Sequence, residues 1–179
     1  IARGLEPLAD LILAQTALVG SVEELAQPFV SEEKEVPDVK SAIAGAKDII
    51  AERVSDNAEL RKRLRELFMK FGEISSKLGK SEDEKAKVYE TYADYAEPVN
   101  QIKSHRVLAL NRGEDEGFLK VKVAIDGEFA HRLARKNYVK AGAFTAQTVE
   151  EACDDAYDRL IAPSIEREVR NLLTDAAEE

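Results

Sequence analysis

The sequence has few of the residues on which common functional sites depend. It contains one cysteine, two histidines and no tryptophan among its 179 residues. A single cysteine excludes an internal disulfide, and with only two histidines it leaves too few soft ligands for a structural zinc site. No apolar run approaches the roughly 18 residues that a membrane-spanning helix needs. We therefore expect neither a bound metal nor a membrane association.

Catalytic motifs are also missing. Neither glycine-rich phosphate loop (G-x-x-x-x-G-K-[ST] or G-x-G-x-x-G) is present, and H-E-x-x-H and G-x-S-x-G do not occur. Ser104 precedes His105, but a nucleophile needs its base brought across space and oriented by a third group. A helix cap is therefore the better interpretation of Ser104. We expect no enzyme activity, no catalytic residues and no cofactor.

Cys153 and the acidic pairs around it have structural explanations. Cys153 falls on an apolar helical stripe beside two aspartates, whereas a reactive thiolate needs cations, so we expect it in the core. Glu150 with Glu151, and Asp154 with Asp155, could suggest a metal site. Consecutive helical residues point about 100° apart, however. A solvated acidic face is the better interpretation.

The sequence is rich in charged residues and in apolar residues at helical spacing. Hydrophobic residues make up 44% and charged residues 34%, with only nine glycines and five prolines. This mixture is typical of a soluble helical protein rather than a disordered or membrane protein. The net charge of −9 has the wrong sign for a dedicated nucleic-acid binder. The charge is uneven, with a net of +4 over residues 100–149 and −7 over residues 150–179.

Caps and apolar stripes predict a mainly α, multi-helix bundle-like fold. Ser21 and Asp38 begin helices, and the second helix runs through Val54. Asp56 begins the next helix, which ends at Gly72. Five further helices are predicted. One begins at Leu5, and a second begins at Ser81 with Glu84 and runs through Tyr89, Tyr92 and Tyr95 to Pro98. The other three run from Ser104 to Gly113, from Glu128 to Lys140, and from Thr148 with Glu151 to near the C-terminus.

Two short segments alternate as β-strands do, at residues 73–78 and 118–123. We expect them to pair as a minor two-stranded antiparallel sheet. Pro163 should kink the long C-terminal helix near Ala162. The chain divides into an N-terminal helical segment (1–72), a small α+β segment (73–145) and the long C-terminal helix (146–179). Because it begins without methionine and ends inside a helical pattern, we expect a fragment of a larger multidomain protein.

The basic middle of the chain offers one candidate ligand surface. If the strand at 118–123 neighbours the helix at 128–140, their basic side chains would form one positive surface able to contact phosphates. A solubilising surface is the simpler alternative, since the chain as a whole is acidic. The weak nucleic-acid-binding candidates are Lys120, Lys122, His131, Arg132, Arg135 and Lys136.

Several stretches are more particular than helix formation requires, and they resemble the bacterial Tex proteins, which are transcription accessory factors. The stretches are ARGLEPLA at 2–9, DYAEP at 94–98, SHRVLALNRGE at 104–114 and EGFL at 116–119. The resemblance extends over nearly the whole chain. It departs at Lys103, where a proline is expected, and at Ala93, where an aromatic residue is usual.

The resemblance implies a helical segment of a cytoplasmic protein, lying between an N-terminal helix-turn-helix-like region and an RNase-H-like domain. Tex proteins add helix-hairpin-helix motifs and an RNA-binding OB-fold domain to these parts. The implied partners of the full-length protein are RNA or DNA, with this segment contributing weakly, and the transcription machinery.

The resemblance also implies structural roles for the matching residues. His105 and Arg106 begin a helix, where the backbone favours an anion or a carboxylate. Arg112 precedes the helix-stopping Gly113, and its guanidinium either bonds the terminal carbonyls or pairs with Glu97. We expect these residues to serve the fold rather than a ligand.

The function that these features favour is a non-catalytic helical scaffold that orients nucleic-acid-binding domains. The alternative is a helical protein-interaction module whose acidic C-terminal helix docks a basic partner. An enzyme is a distant third, because no nucleophile, base and orienting group can be assembled from the residues present.

Overall fold

The computed structural model describes residues 4–17, 19–79 and 84–179. The secondary structure of these residues is mainly helical. The helices are α1 (Glu6–Ala14), α2 (Val22–Ala26), α3 (Val39–Ser55), α4 (Ala58–Phe71), α5 (Ser104–Asp115), α6 (Gly127–Arg135), α7 (Ala146–Asp155) and α8 (Ala162–Glu178). The strands are β1 (Glu73–Leu78), β2 (Asp94–Pro98) and β3 (Leu119–Ala124), and short 3₁₀-helices cover Gln27–Phe29 and Glu84–Tyr92.

The chain forms two compact units, each built from two separated stretches of sequence. The first unit comprises the residues up to Leu60 together with Glu128–Ile161, and the second comprises Arg61–Gly127 together with Ala162–Glu179. The predicted division at residues 72 and 145 cuts the chain into consecutive segments, whereas these two units are defined by their internal contacts. The predicted division therefore stays a prediction. Each unit is described separately below.

Helix α3 forms the centre of the first unit and packs against α1, α2 and α7. Its buried stripe includes Ala42, Ala46 and Ile50. Alanines spaced four residues apart allow neighbouring helices to approach closely. Asp38 caps α3 as predicted, since its carboxylate accepts the N–H of Ser41 at 2.7 Å.

Two predicted caps in this unit are wrong by a few residues. Helix α4 begins at Ala58, and its cap is Asn57 rather than Asp56, with the Asn57 amide oxygen accepting the N–H of Leu60 at 3.0 Å. Helix α7 begins at Ala146, so Thr148 lies inside the helix. The hydroxyl of the preceding Thr145 is buried and donates to the carbonyl of Ile12, which ties the start of α7 to α1.

The sheet of the second unit has the strand order β2-β1-β3, with both pairs antiparallel. The predicted pairing of β1 with β3 is confirmed, and Leu78 lies opposite Leu119. The sheet has three strands rather than two, because Asp94–Pro98 is a strand and not the end of a helix. Tyr95 therefore lies on β2, where its ring meets Tyr92 edge-on at 5.3 Å. Ser81, the predicted cap of this segment, lies outside the described residues.

Helix α5 differs from its prediction at both ends. Ser104 is its first residue, and the capping position belongs to Lys103, whose side chain makes no capping hydrogen bond. Gly113 does not stop the helix, which continues to Asp115. The stop is Gly117, in the left-handed region at φ 81°. Gly113 instead faces Leu119, and a Cβ there would lie 2.4 Å from the Leu119 Cδ1 atom. The missing side chain lets α5 approach β3.

The long C-terminal helix changes its winding where the sequence predicts an interruption. Residues Ala156–Ile161 form a π-helical segment between α7 and α8. Pro163 has no N–H to donate, and its ring clashes with the carbonyl four residues earlier, so a wider turn relieves the conflict. Within the described ranges, no helix is long and apolar enough to span a bilayer.

We predict that Gly113→Ala lowers the free energy of unfolding by about 1–2 kcal/mol, although alanine favours a helix. The new methyl group must displace the buried Leu119 side chain. Urea denaturation followed by circular dichroism measures the effect.

Gly127→Ala is the matched control for this prediction. Gly127 is likewise a helical glycine, the first residue of α6, but a Cβ there meets no atom within 4 Å. We expect a change within about 0.5 kcal/mol. Equal stability of the Gly113→Ala variant and the parent chain would show that the close approach of α5 and β3 is not required.

Candidate functional site

Helix α6 carries three of the six basic residues that the sequence singles out (His131, Arg132 and Arg135), and Lys136 directly follows it. Its buried side is narrow and consists of Ala130 and Ala134, one turn apart. This buried stripe faces the interior of the first unit. The basic side chains on either side of this alanine stripe therefore have different surroundings.

Arg135 faces the carboxylates of α7. Its Nε donates to Asp154 Oδ1 at 2.7 Å, its Nη2 donates to the second oxygen of the same carboxylate, and its Nη1 lies 3.1 Å from Glu150 Oε1. The hydrogen bonds with Asp154, and then the charge of Glu150, raise the pKa of Arg135 against the effect of burial. A bidentate pair of this kind fixes the geometry of both side chains. Arg135 thus forms its ion pairs within the first unit, where it joins α6 to α7.

His131 is held by a carboxylate and an aromatic ring. Its Nε2 lies 2.7 Å from Asp158 Oδ1, and its ring meets the buried Tyr157 ring edge-on with centroids 5.5 Å apart. Burial raises the pKa of the Tyr157 hydroxyl to about 12. This contact also orients the imidazole toward its own unit.

Arg132 and Lys136 differ from their two neighbours. Both are exposed, and neither makes an ion pair with a residue in the ranges 4–17, 19–79 and 84–179. They border a surface groove of about 460 Å³ whose floor is apolar. We call this the α6 groove, and its lining residues are Phe129, Arg132, Leu133, Arg135, Lys136 and Val139.

Lys120 and Lys122 belong to the second unit, on the exposed face of β3. They alternate with the buried Val121 and Val123, as the sequence predicts for a strand with one solvated face. Lys120 lies opposite Lys77 on β1. The single positive surface combining these lysines with α6 joins residues of two units, and it stays a prediction.

The residues of the family motif form a small cluster in the second unit. Arg106 Nη1 lies 3.7 Å from Glu97 Oε2 and donates to the Tyr95 hydroxyl at 3.2 Å. Its guanidinium also stacks over the Tyr95 ring, 5.6 Å from the centroid. The Tyr95 hydroxyl in turn donates to Glu97. Burial, and then this bond to Glu97, raise the pKa of Tyr95. The cluster joins β2 to the first turn of α5.

Arg112 lies in the last turn of α5, which ends at Asp115. Among the described residues, Glu97 pairs with Arg106 and not with Arg112. The bonding of Arg112 to the terminal carbonyls stays a prediction. Arg112 and His105 are both exposed on α5.

Sequence reasoning missed a polar groove of about 740 Å³ between α5 and α8 in the second unit. Arg170 donates to Glu114 Oε1 and to Asn111 Oδ1, both at 2.8 Å, and the Asn111 amide donates to Thr174 at 2.8 Å. Burial raises the pKa of Glu166, which accepts the N–H of Val123. Asn111 with Glu114, and Arg170 with Thr174, share helix faces by spacing, which is the signal that could have indicated this groove.

The residues weighed for catalysis or metal binding have structural surroundings. Cys153 is fully buried, which confirms its predicted place in the core, and burial raises its pKa to about 12. The acidic residues next to it lie at the surface and pair with cations, Glu151 with Lys47 at 2.6 Å and Asp155 with Arg159 at 2.9 Å. The described part of the chain holds no group of three or more His, Cys, Asp or Glu residues able to bind a metal.

Comparisons with known proteins agree with the resemblance drawn from the sequence. A family model described as Tex central region-like matches residues 20–179. The protein YdcI of Bacillus subtilis is 42% identical over 179 residues, covering 99% of this chain and 25% of the relative. Protein tex of Bordetella pertussis is 34% identical over 141 residues (79% of this chain and 18% of the relative). The transcriptional accessory protein Tex of Neisseria gonorrhoeae is 30% identical over 185 residues (98% and 24%). The chain spans about a quarter of these relatives or less.

We predict that Arg135→Ala lowers the free energy of unfolding by about 1–2 kcal/mol, because it leaves two carboxylates of α7 without their partner. Arg132→Ala removes the same side chain one turn earlier on α6 and should change stability by less than about 0.5 kcal/mol. Thermal and urea denaturation at low and high salt compare the stability of the two variants. Salt should narrow the difference between their free energies of unfolding, because it screens the ion pair. Equal effects of the two substitutions would contradict the structural assignment of Arg135.

We also predict that Cys153 is unreactive in the folded protein. At about pH 8 a thiol reagent should modify the native chain at least ~100-fold more slowly than the urea-unfolded chain. The native thiol holds its proton up to about pH 12 against an ordinary pKa of 9.0, so its contribution to stability is lost as the pH rises from 9 toward 12.

Cys153→Ala tests this pH dependence, since it removes the contribution of the thiol and leaves that of Tyr157. The alkaline loss of stability should therefore become smaller in this variant. Rapid labelling of the native chain would disprove the buried assignment.

Proposed function

Because this chain belongs to the Tex family of transcription accessory proteins, we propose that it is a non-catalytic helical scaffold that orients the nucleic-acid-binding domains of a longer protein. In this proposal the longer protein is cytoplasmic and binds RNA or DNA together with the transcription machinery. This segment contributes weakly to that binding, through the lysines on the exposed face of β3, Lys120 and Lys122.

The observation that carries the proposal is the use of cations to hold helices together. In the first unit, Lys47 of α3 and Arg135 of α6 both pair with acidic residues of α7. In the second unit, Arg65 of α4 pairs with Glu168 of α8 at 2.5 Å, and Arg170 of α8 pairs with Glu114 of α5. The elements of each unit are thus joined to the C-terminal helix by charge as well as by apolar packing.

Rigid joining suits a segment between binding domains. Two sites on one chain reinforce each other only when the connection holds them at a separation and angle that both can use. A flexible connection spreads the sites over many arrangements and lowers the effective concentration of the second site. Helices locked by packing and bidentate ion pairs restrict these arrangements.

The alternative proposal, docking of a basic partner on the acidic C-terminal helix, has less support. Glu150 and Asp154 already share Arg135, and Glu151 pairs with Lys47. A basic partner would have to break these ion pairs before it could form ion pairs with the same carboxylates.

We predict that the isolated chain binds single- or double-stranded oligonucleotides with a Kd above about 1 μM at about 150 mM salt, since its net charge of −9 repels phosphates. In a longer Tex protein that carries this segment, Arg135→Ala should lower nucleic-acid affinity several-fold by loosening α6 from α7. Fluorescence anisotropy measures both affinities.

Lys62→Ala is the control in the longer protein, because Lys62 is exposed on α4 and has no ion-pair partner among the described residues. It should leave the affinity unchanged. Submicromolar binding by the isolated chain would contradict a scaffold that binds nucleic acid weakly. Unchanged affinity of the Arg135→Ala protein would contradict the need for rigidity.

A further inference from the structure

The α6 groove is a surface that the scaffold proposal does not use. From its lining and charge we infer that it binds an acidic amphipathic helix of a partner protein. The inference goes beyond the proposed orienting function, since a segment that holds domains in place needs no groove of its own.

The floor of the groove supplies an apolar contact. Phe129 is 39% exposed, and Leu133 and Val139 are half-buried beside it. Phe129 and Leu133 stand one helical turn apart, so they form a short stripe rather than two scattered residues. Aromatic and aliphatic residues exposed together in a concave surface are typical of sites that receive the apolar face of a helix.

The rim of the groove supplies positive charge. Arg132 lies on α6 and Lys136 directly follows the helix, one turn further on, with the Lys136 N–H donating to the Arg132 carbonyl at 3.1 Å. Neither side chain pairs with a carboxylate in the described part of the chain. Arg135, which also lines the groove, is already neutralised by Asp154 and Glu150. The groove therefore presents two cations on a chain whose net charge is −9. This local reversal of charge favours an acidic partner.

The geometry favours a peptide helix over a polynucleotide. Carboxylates four residues apart on a helix are about 6 Å apart, which matches the spacing of Arg132 and Lys136, and apolar residues of the same helix can then meet the floor. A nucleic-acid backbone would gain about two phosphate contacts, and phosphates gain nothing from an apolar floor. The partner chemistry is thus carboxylates beside an apolar stripe.

The test uses this chain and a fluorescein-labelled synthetic helix of about 14 residues, with leucine or phenylalanine on one face and aspartate or glutamate elsewhere. Anisotropy at about 150 mM salt should give a Kd in the micromolar range. A scrambled peptide of the same composition should bind at least ~10-fold more weakly, since it lacks the apolar face.

Substitutions separate the two parts of the groove. Arg132→Glu and Lys136→Glu should each weaken binding at least ~5-fold through charge repulsion, and Leu133→Ser should do so through loss of apolar contact. Lys62→Glu makes the same charge change on α4 and should alter the Kd by less than ~2-fold. Circular dichroism checks folding, and the exposed Arg132 and Lys136 keep the test valid if Leu133→Ser unfolds the chain.

Three outcomes would overturn the inference. The first is a Kd for the designed helix above the millimolar range, and the second is equal binding of the scrambled peptide. The third is tighter binding of a single-stranded oligonucleotide than of the helix, with the oligonucleotide affinity reduced by Arg132→Glu and Leu133→Ser. That third result would assign the groove to nucleic acid, with bases stacking on Phe129.

Discussion

The pairing of Arg135 with Asp154 and Glu150 determines which residues of α6 face the solvent. Successive residues of an α-helix are about 100° apart around its axis, so fixing one side chain fixes the direction of the others. With Arg135 turned toward α7 and the two alanines of α6 buried, Arg132 and Lys136 are left outside. Both the internal bracing and the composition of the α6 groove follow from this one contact.

The contact orients the helix more than it stabilises the fold. Ion pairs near a protein surface contribute little free energy, because water and salt screen them and two long side chains lose freedom. The larger stabilisation comes from burying apolar residues such as Ile50, Ile161 and Val149. Apolar packing tolerates rotation and sliding of a helix better than a bidentate pair does. Packing thus holds α6 in place, and Arg135 selects one orientation.

Local patterns in the sequence predict the elements whose signals are local. The Asp38 cap, the helix stop at Gly72 and the alternation in β1 and β3 all depend on a few consecutive residues, and the structure contains each of them. The helical spacing of Tyr89, Tyr92 and Tyr95 predicts a helix over residues that form strand β2. Pairing with β1, some twenty residues earlier in the sequence, makes this segment a strand.

The function of Gly113 and of the basic residues could not be predicted for the same reason. A glycine after a helical run has the pattern of a stop, and only the position of Leu119 reveals that Gly113 is needed for close approach. The sequence indicated that α6 is basic, but Arg132 and Arg135 are the same residue type on one helix. Asp154, nineteen positions beyond Arg135, makes the difference between them.

The α6 groove and the groove between α5 and α8 illustrate how partners within the chain decide what a charged residue can do. In the groove between α5 and α8, Arg170 donates hydrogen bonds to Glu114 and Asn111. A ligand there would have to displace these hydrogen bonds. In the α6 groove, Arg132 and Lys136 make no ion pair within the described part of the chain, so their N–H groups can donate to a partner molecule. A braced helix also loses little backbone conformational entropy when a partner binds, because Arg135 already fixes its orientation. We therefore propose that the same ion pairs serve both the orienting role and the preformed surface for an acidic partner.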